Sequence, residues 1–265
     1  MRTFWIGLVL SAVGCGTTGG GIVTFTARAG GPQDANGALE FDTGTDATSF
    51  HVSLTRACFH IGAVYLNMAQ PISGSQAEPC AITDGTYIGE AFGNGVSDGS
   101  CENAVDLLSS DVTPFPTLGE GTANHAVYAE VWLSGGDVNA QNDNTTIFSV
   151  AGTATRGPVS WPFKSSVTIG ANRATQTELA SAPGTNPICK QRIVTPIFVD
   201  LSLTNGGTLD TRIDPRVMFF NVDFSQLSAD SDGTYVIPDD SSNLGNDFFN
   251  GVKSSGVYQF TWTDK

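Results

Sequence analysis

The chain is poor in charge, and above all in positive charge. Only 14 % of its 265 residues are Asp, Glu, Lys or Arg, against about 25 % in average soluble chains. Lys and Arg number 12 against 26 Asp and Glu, for a formal net charge of −14. So small a basic complement excludes nucleic-acid binding through a basic face, because a phosphate groove needs Lys and Arg. Apolar runs are short as well. The longest, Phe4–Val13, falls well below the roughly 20 residues that span a bilayer. Helical periodicity is nearly absent, with Glu102–Ser109 and Asn246–Val252 the only short candidates; this composition and patterning exclude a coiled coil. No two cysteines show the C-x2-C spacing of a zinc ribbon. No period of 20–50 residues marks a propeller or solenoid. Disorder is excluded too, since 40 % of residues are hydrophobic and the mean hydropathy is −0.01.

What is there begins with an address. Arg2 gives a positive start, and Phe4–Val13 has the length of a signal-peptide apolar region. Ala12-Val13-Gly14-Cys15 follows directly. Small residues before a cysteine at this place resemble a bacterial lipobox, although Ala12 stands where Leu is commonest. The resemblance implies that residues 1–14 are removed and that Cys15 is diacylated. Residues 15–21 then form a Gly/Thr tether, since glycine-rich stretches are flexible. Gly16, rather than Asp, follows the cysteine, which by resemblance to the sorting rule favours the outer membrane. Ordinary secretion after cleavage at Ala12 or Gly14 is the alternative.

Four cysteines remain: Cys58, Cys80, Cys101 and Cys189. In an exported chain they read as two disulfides. Three connectivities exist. Cys80–Cys101 with Cys58–Cys189 is favoured, because Cys80 and Cys101 lie in turn-rich stretches and would close a moderate loop.

Period-two runs of β-branched and aromatic residues recur from Ile22 onward. Strands are predicted at Ile22–Ala27, Phe50–Leu66 with a bend near Arg56 and Ala57, Ala126–Leu133, and Ile147–Thr155. Others follow at Val159–Ile169, Ile193–Leu203, Thr208–Ile213, Val217–Phe224 and Val257–Trp262. Arg156-Gly157-Pro158 and Asn205-Gly206 read as hairpin turns, and Pro162 as a mark of an edge or bulge. About ten strands with frequent turns predict an all-β fold, an antiparallel β-sandwich with very little helix, in one domain over 22–265. Ala171–Pro187 is the longest connection.

Several patterns carry candidate chemistry. Asp230-Ser231-Asp232-Gly233 has the opening letters of a calcium loop, but Thr234 and Ser241 stand where an EF-hand needs further ligands. Asp230 and Asp232 are therefore candidates for a looser calcium site within an acidic stretch that also holds Asp223, Asp239, Asp240 and Asp247. A solvated acidic loop is the alternative. Asp137, Asn139, Asn142 and Asp143 form a second oxygen-rich stretch. Gly95-Val96-Ser97-Asp98-Gly99 has the letters of a nucleophile elbow without its strand–turn–helix context or a downstream His. His51, His60 and His125 show no ligand-pair spacing. Trp132, Trp161 and Trp262, with Tyr128 on the face of Trp132, could make a sugar-stacking strip or simply pack. Carboxylate-dependent hydrolysis needs a pair of acids at a set separation, which no motif specifies.

Three blocks carry a resemblance to a family: Phe59–Asn67, Val131–Asn139 and Asn186–Val194. They look like blocks of uncharacterised envelope lipoproteins of myxobacteria and related bacteria, which implies no activity. Val105–Leu108 with Val127–Val131 is similar to a group of β-sandwich lipoprotein domains, which implies the fold alone. The reading is a lipid-anchored protein of the bacterial cell envelope, non-catalytic, that binds a ligand, an envelope protein or a glycan. Calcium or transition-metal binding, and a carbohydrate-binding or carboxylate-dependent hydrolase domain, are the alternatives.

Overall fold

The computed structural model describes residues 20–44, 48–71, 87–93, 104–133, 143–169 and 193–265. These residues are all-β apart from one helix and three short 3-10 turns. In chain order the first strands are β1 (Ile22–Gly30), β2 (Leu39–Asp42), β3 (His51–Phe59), β4 (Ala63–Asn67), β5 (Tyr87–Phe92) and β6 (Val105–Asp106). There follow β7 (Thr113–Pro114), β8 (Gly119–Thr122), β9 (His125–Trp132), β10 (Asp143–Arg156), β11 (Val159–Ile169) and β12 (Ile193–Ser202). The last are β13 (Thr208–Ile213), β14 (Ser228–Ala229), β15 (Tyr235–Val236) and β16 (Tyr258–Thr263), with helix α1 (Asn243–Val252) before β16.

The strands form two sheets. The larger runs β12-β9-β4-β5-β8-β1-β13-β16, with β7 also on β1. Its end strands β12 and β16 approach each other, so the sheet curls toward closure. The smaller runs β14-β15-β11-β10-β3-β2, with β6 on β3. Neither is purely antiparallel, which corrects the expectation. β1 and β13 run parallel from Thr26↔Thr208 to Gly30↔Arg212, and β11 and β15 pair parallel at Phe163↔Tyr235. The cause of the first lies in the Asn205-Gly206 turn. It closes no hairpin. The Gly206 N–H donates to the Thr24 carbonyl at 2.7 Å, and Asn205 Oδ1 accepts the Thr24 N–H at 3.0 Å. The turn is thus fastened to the start of β1, and β13 leaves it alongside β1. Gly206 sits at φ +80°, a left-handed conformation that favours glycine.

Other local expectations shift for stated reasons. Val217–Phe224 is not a strand. Asp214 accepts the Arg216 N–H ahead of a 3-10 turn over Pro215–Phe219, and Asp223 does the same for Ser225 ahead of Phe224–Gln226. Side-chain capping and the fixed φ of Pro215 outweigh the apolar pattern. Phe50–Leu66 divides at 60–62 into β3 and β4, and β3 is also irregular where its pairing with β10 skips Thr55. Within Glu102–Ser109, Val105–Asp106 is strand β6 rather than helix. Helix α1 begins ahead of the predicted Asn246 because Ser242 accepts the Gly245 N–H as its N-cap. The Arg156-Gly157-Pro158 hairpin does form, joining β10 to β11 with Gly157 at φ +58°. Pro162 sits where β11 has only β10 beside it, one residue before β15 joins.

Inward side chains of both sheets share one core, with members from Val23 to Tyr258. Seven phenylalanines are among its largest fully buried side chains, each contributing about 1.5–3 kcal/mol of burial. The C-terminal segment covers the smaller sheet with three of them. Phe224 lies 4.8 Å from Phe163 and 5.2 Å from Phe50 between ring centroids. Phe219 lies 5.0 Å from Phe248, which in turn stands 6.0 Å from Phe148. This column of rings ends at Phe50, and Arg156 lies over that ring.

Candidate functional site

Arg156 ends β10, and the turn at Gly157 leaves its side chain free to lie back over the start of β3. Its guanidinium carbon sits 4.3 Å from the Phe50 ring centroid and 5.9 Å from that of Trp161. Stacking of this kind fixes the plane of the fork. Nη1 donates to the Thr48 carbonyl at 3.2 Å. No carboxylate lies within ion-pairing distance of Arg156 among the described residues.

The guanidinium faces a cleft of about 400 Å³ bounded by Thr43, Ser49, Phe220, Asn221 and Asp223. A second hollow of about 450 Å³ adjoins it through Gly44, Ser49 and Arg156 and reaches Asp42 and His51. The walls are set by local hydrogen bonds. Thr43 Oγ1 accepts the Phe50 N–H at 3.0 Å, and the Ser49 hydroxyl donates to the Gly44 carbonyl at 2.9 Å. Asp223 accepts from the Ser225 hydroxyl at 2.6 Å, the Ser225 N–H at 3.0 Å and the Gln226 amide at 2.7 Å. Those bonds, the Ser225 hydroxyl first, hold its carboxyl below the ordinary range against the cost of burial, and the Arg156 charge adds to them. His51 Nδ1 stands 3.0 Å from Asp42 Oδ1 in an exposed pair. The Ser49 hydroxyl is committed to Gly44, not to His51. Phe220 stands at the rim, 68 % exposed. The cleft therefore offers a flat, positively charged donor beside acceptors that are already engaged, with an apolar ring at its mouth.

The acidic stretch is bonded internally and to Lys164. Asp230 Oδ1 accepts the N–H groups of Asp232 and Thr234, and Asp232 Oδ1 accepts the Thr234 N–H. Lys164 Nζ lies 2.5 Å from Asp230 Oδ2 and 3.5 Å from Asp232 Oδ2. An ammonium thus stands against the two candidate calcium ligands. Asp239 accepts from the Thr168 N–H at 3.0 Å and from its hydroxyl, and Asp240 accepts the Ser242 N–H at 2.9 Å. These aspartates shape turns and fasten loops to β11 and α1. No group of three or more His, Cys, Asp or Glu side chains able to hold a metal occurs among the described residues.

The tryptophans are not brought together. Trp132 is buried with its ring 5.2 Å from Tyr65, Trp161 packs at 5.4 Å on Phe50, and Trp262 at 5.1 Å on Phe25. Tyr128 stands 5.0 Å from exposed Phe198, not with Trp132. They make no stacking strip. His60 is buried, and His125 Nε2 lies 3.3 Å from Asp200 at the surface, away from the His51–Asp42 pair. Cys58 is buried and disulfide-bonded. Cys15, Cys80, Cys101 and Cys189 lie outside the described residues, as do Gly95–Gly99, Asp137, Asn139 and Asn142.

One polar arrangement had no sequence signal. Glu130, Tyr65, Glu90 and Glu120 stand in register across β9, β4, β5 and β8. Glu130 is 1 % exposed. Burial, with the charges of Glu90 and Glu130 beside it, pushes the Tyr65 hydroxyl up to about 12. Burial and a bond to Glu90 push Tyr87 up as well. Arg156 was equally hidden, reading as part of a turn.

No protein family, curated protein or solved structure matches this chain. No helix among the described residues is long and apolar enough to cross a membrane.

Proposed function

We propose that the chain is a lipoprotein of the bacterial cell envelope, anchored through Cys15 in the outer membrane and displaying a non-catalytic β-sandwich that binds a ligand at the Arg156 cleft. The lipobox pattern at Ala12–Cys15 supports the anchor, as does the resemblance of three sequence blocks to envelope lipoproteins. The observation that carries the reading is the spacing of tether and domain. Cys15 stands seven positions before Ile22, where β1 begins with an 86 % exposed side chain. A stretch of that length spans at most about 25 Å, so lipid on Cys15 holds the domain close to the bilayer. The paired disulfides Cys80–Cys101 and Cys58–Cys189 belong to the same reading, because exported domains are cross-linked in oxidising compartments.

Fractionation of cells expressing the full chain tests it. Wild type should sediment with membranes and leave them only in detergent. Cys15→Ala should appear in the soluble fraction with unchanged thermal unfolding. Membrane association unaltered by that substitution removes the anchor from the account.

A further inference from the structure

We infer that the Arg156 cleft binds a small organic monocarboxylate with an apolar body. This rests on the reading of the cleft as a ligand site and names the chemistry of its ligand.

The first observation is the state of the guanidinium. Of its donors only Nη1 has an acceptor among the described residues, the Thr48 carbonyl. Nε and Nη2 are not sealed away from solvent. Three other arginines of the domain are paired with carboxylates: Arg28 and Arg212 with Asp210, and Arg216 with Asp34 and Asp214. In a chain with 26 acidic and 12 basic residues, a stacked arginine with no carboxylate partner among the described residues leaves that place for one from outside. A rigid planar fork matches a carboxylate with two parallel hydrogen bonds.

The second observation limits the ligand's charge. Asp223 lies in the same cleft and is held ionised by Ser225. A phosphate, at about −1.5 to −2 near neutral pH, meets more repulsion there than a carboxylate does. The net charge of −14 further opposes a polyanion. One carboxylate is the charge that this cleft accommodates.

The third observation supplies the body. Phe219 is fully buried while Phe220, next in sequence, is 68 % exposed at the rim. An apolar ring there gains by covering part of a ligand. A cleft of about 400 Å³ lies within the size range of small-molecule sites.

The test is a titration of the full chain, 15N-labelled in detergent, with phenylacetate, its neutral isostere phenylacetamide, and phenyl phosphate. Phenylacetate should give saturable shifts at Arg156, Gly157 and Phe220. Phenylacetamide should bind at least about tenfold more weakly, the loss that follows from removing a charge-assisted pair. Arg156→Gln should lose about tenfold or more, and Arg156→Lys, which keeps the charge without the fork, should fall between. Phe220→Ala should weaken binding several-fold while lowering the unfolding temperature by no more than about 3 °C, which keeps the test valid if Arg156 variants unfold. Equal binding of phenylacetate and phenylacetamide, or tighter binding of phenyl phosphate, overturns the carboxylate assignment while the cleft remains a ligand site. The absence of shifts with every probe up to about 20 mM overturns both.

Discussion

Phe219 and Phe220 are neighbours in the chain with opposite surroundings, and replacing each by alanine separates packing from binding. Phe219 is fully buried, with Phe248, Phe163, Phe41 and Phe224 at centroid distances of 5.0, 5.7, 5.8 and 6.2 Å. Truncation removes those ring contacts and leaves a cavity between the C-terminal segment and the smaller sheet. Such changes cost about 3–5 kcal/mol. Phe220 keeps only about a third of its surface from solvent, so its truncation costs roughly 0.5–1 kcal/mol, a third of full burial. With a urea slope near 3 kcal/mol per molar for a domain of this size, Phe219→Ala should lower the unfolding midpoint by about 1 M or more. Phe220→Ala should lower it by less than about 0.3 M. The assay is equilibrium urea unfolding followed by tryptophan fluorescence, with slopes compared to exclude a change in cooperativity. Equal midpoint shifts for the two variants would refute the placement of the 3-10 turn over Pro215–Phe219, and with it the cleft that this turn borders.

Two further outcomes follow from charge. Burial lowers the Lys253 ammonium from 10.5 to about 8, so between those values the unfolded chain binds more protons than the folded one and stability rises with pH. The gain is on the order of 2 kcal/mol. Tyr65 is pushed from 10.0 to about 12, so above pH 10 the unfolded chain loses its proton first and stability falls. Thermal unfolding across pH 7–12 should therefore peak near pH 10; a midpoint that declines steadily from pH 8 contradicts the Lys253 placement, and one that keeps rising past pH 11 contradicts that of Tyr65. Calcium should leave the wild-type unfolding temperature unchanged, because Lys164 stands against Asp230 and Asp232. Lys164→Met should create a weak calcium-dependent rise, and a calcium-stabilised wild type would contradict the Lys164 assignment.

The all-β class was legible because alternation is local. Val159–Ile169 and Thr208–Ile213 appear with the bounds that their patterns predict. Pairing partners were not legible, since nothing in Thr208–Ile213 says that it lies parallel to β1; the anchor at Thr24 is 181 residues from Asn205. Val217–Phe224 misled because the apolar residues that suit a strand suit a buried 3-10 turn equally. The deciding groups were the capping side chains of Asp214 and Asp223. Acid-rich letters at Asp230–Gly233 pointed to a cation but not to which one, and the lysine comes from β11. The cleft was hidden for the same reason. Its residues come from the β2–β3 connection, the β10–β11 hairpin and the turn after Phe219, and only folding brings Arg156, Phe50 and Phe220 together.

The proposed anchor is a lipid on Cys15. The most direct measurement is the intact mass and N-terminal peptide mass of the chain extracted from membranes. With the proposed anchor in place, that chain begins at Cys15 and carries a diacylglyceryl group on its sulfur. An unmodified peptide beginning at Val13, or an intact chain that retains residues 1–14, would contradict it.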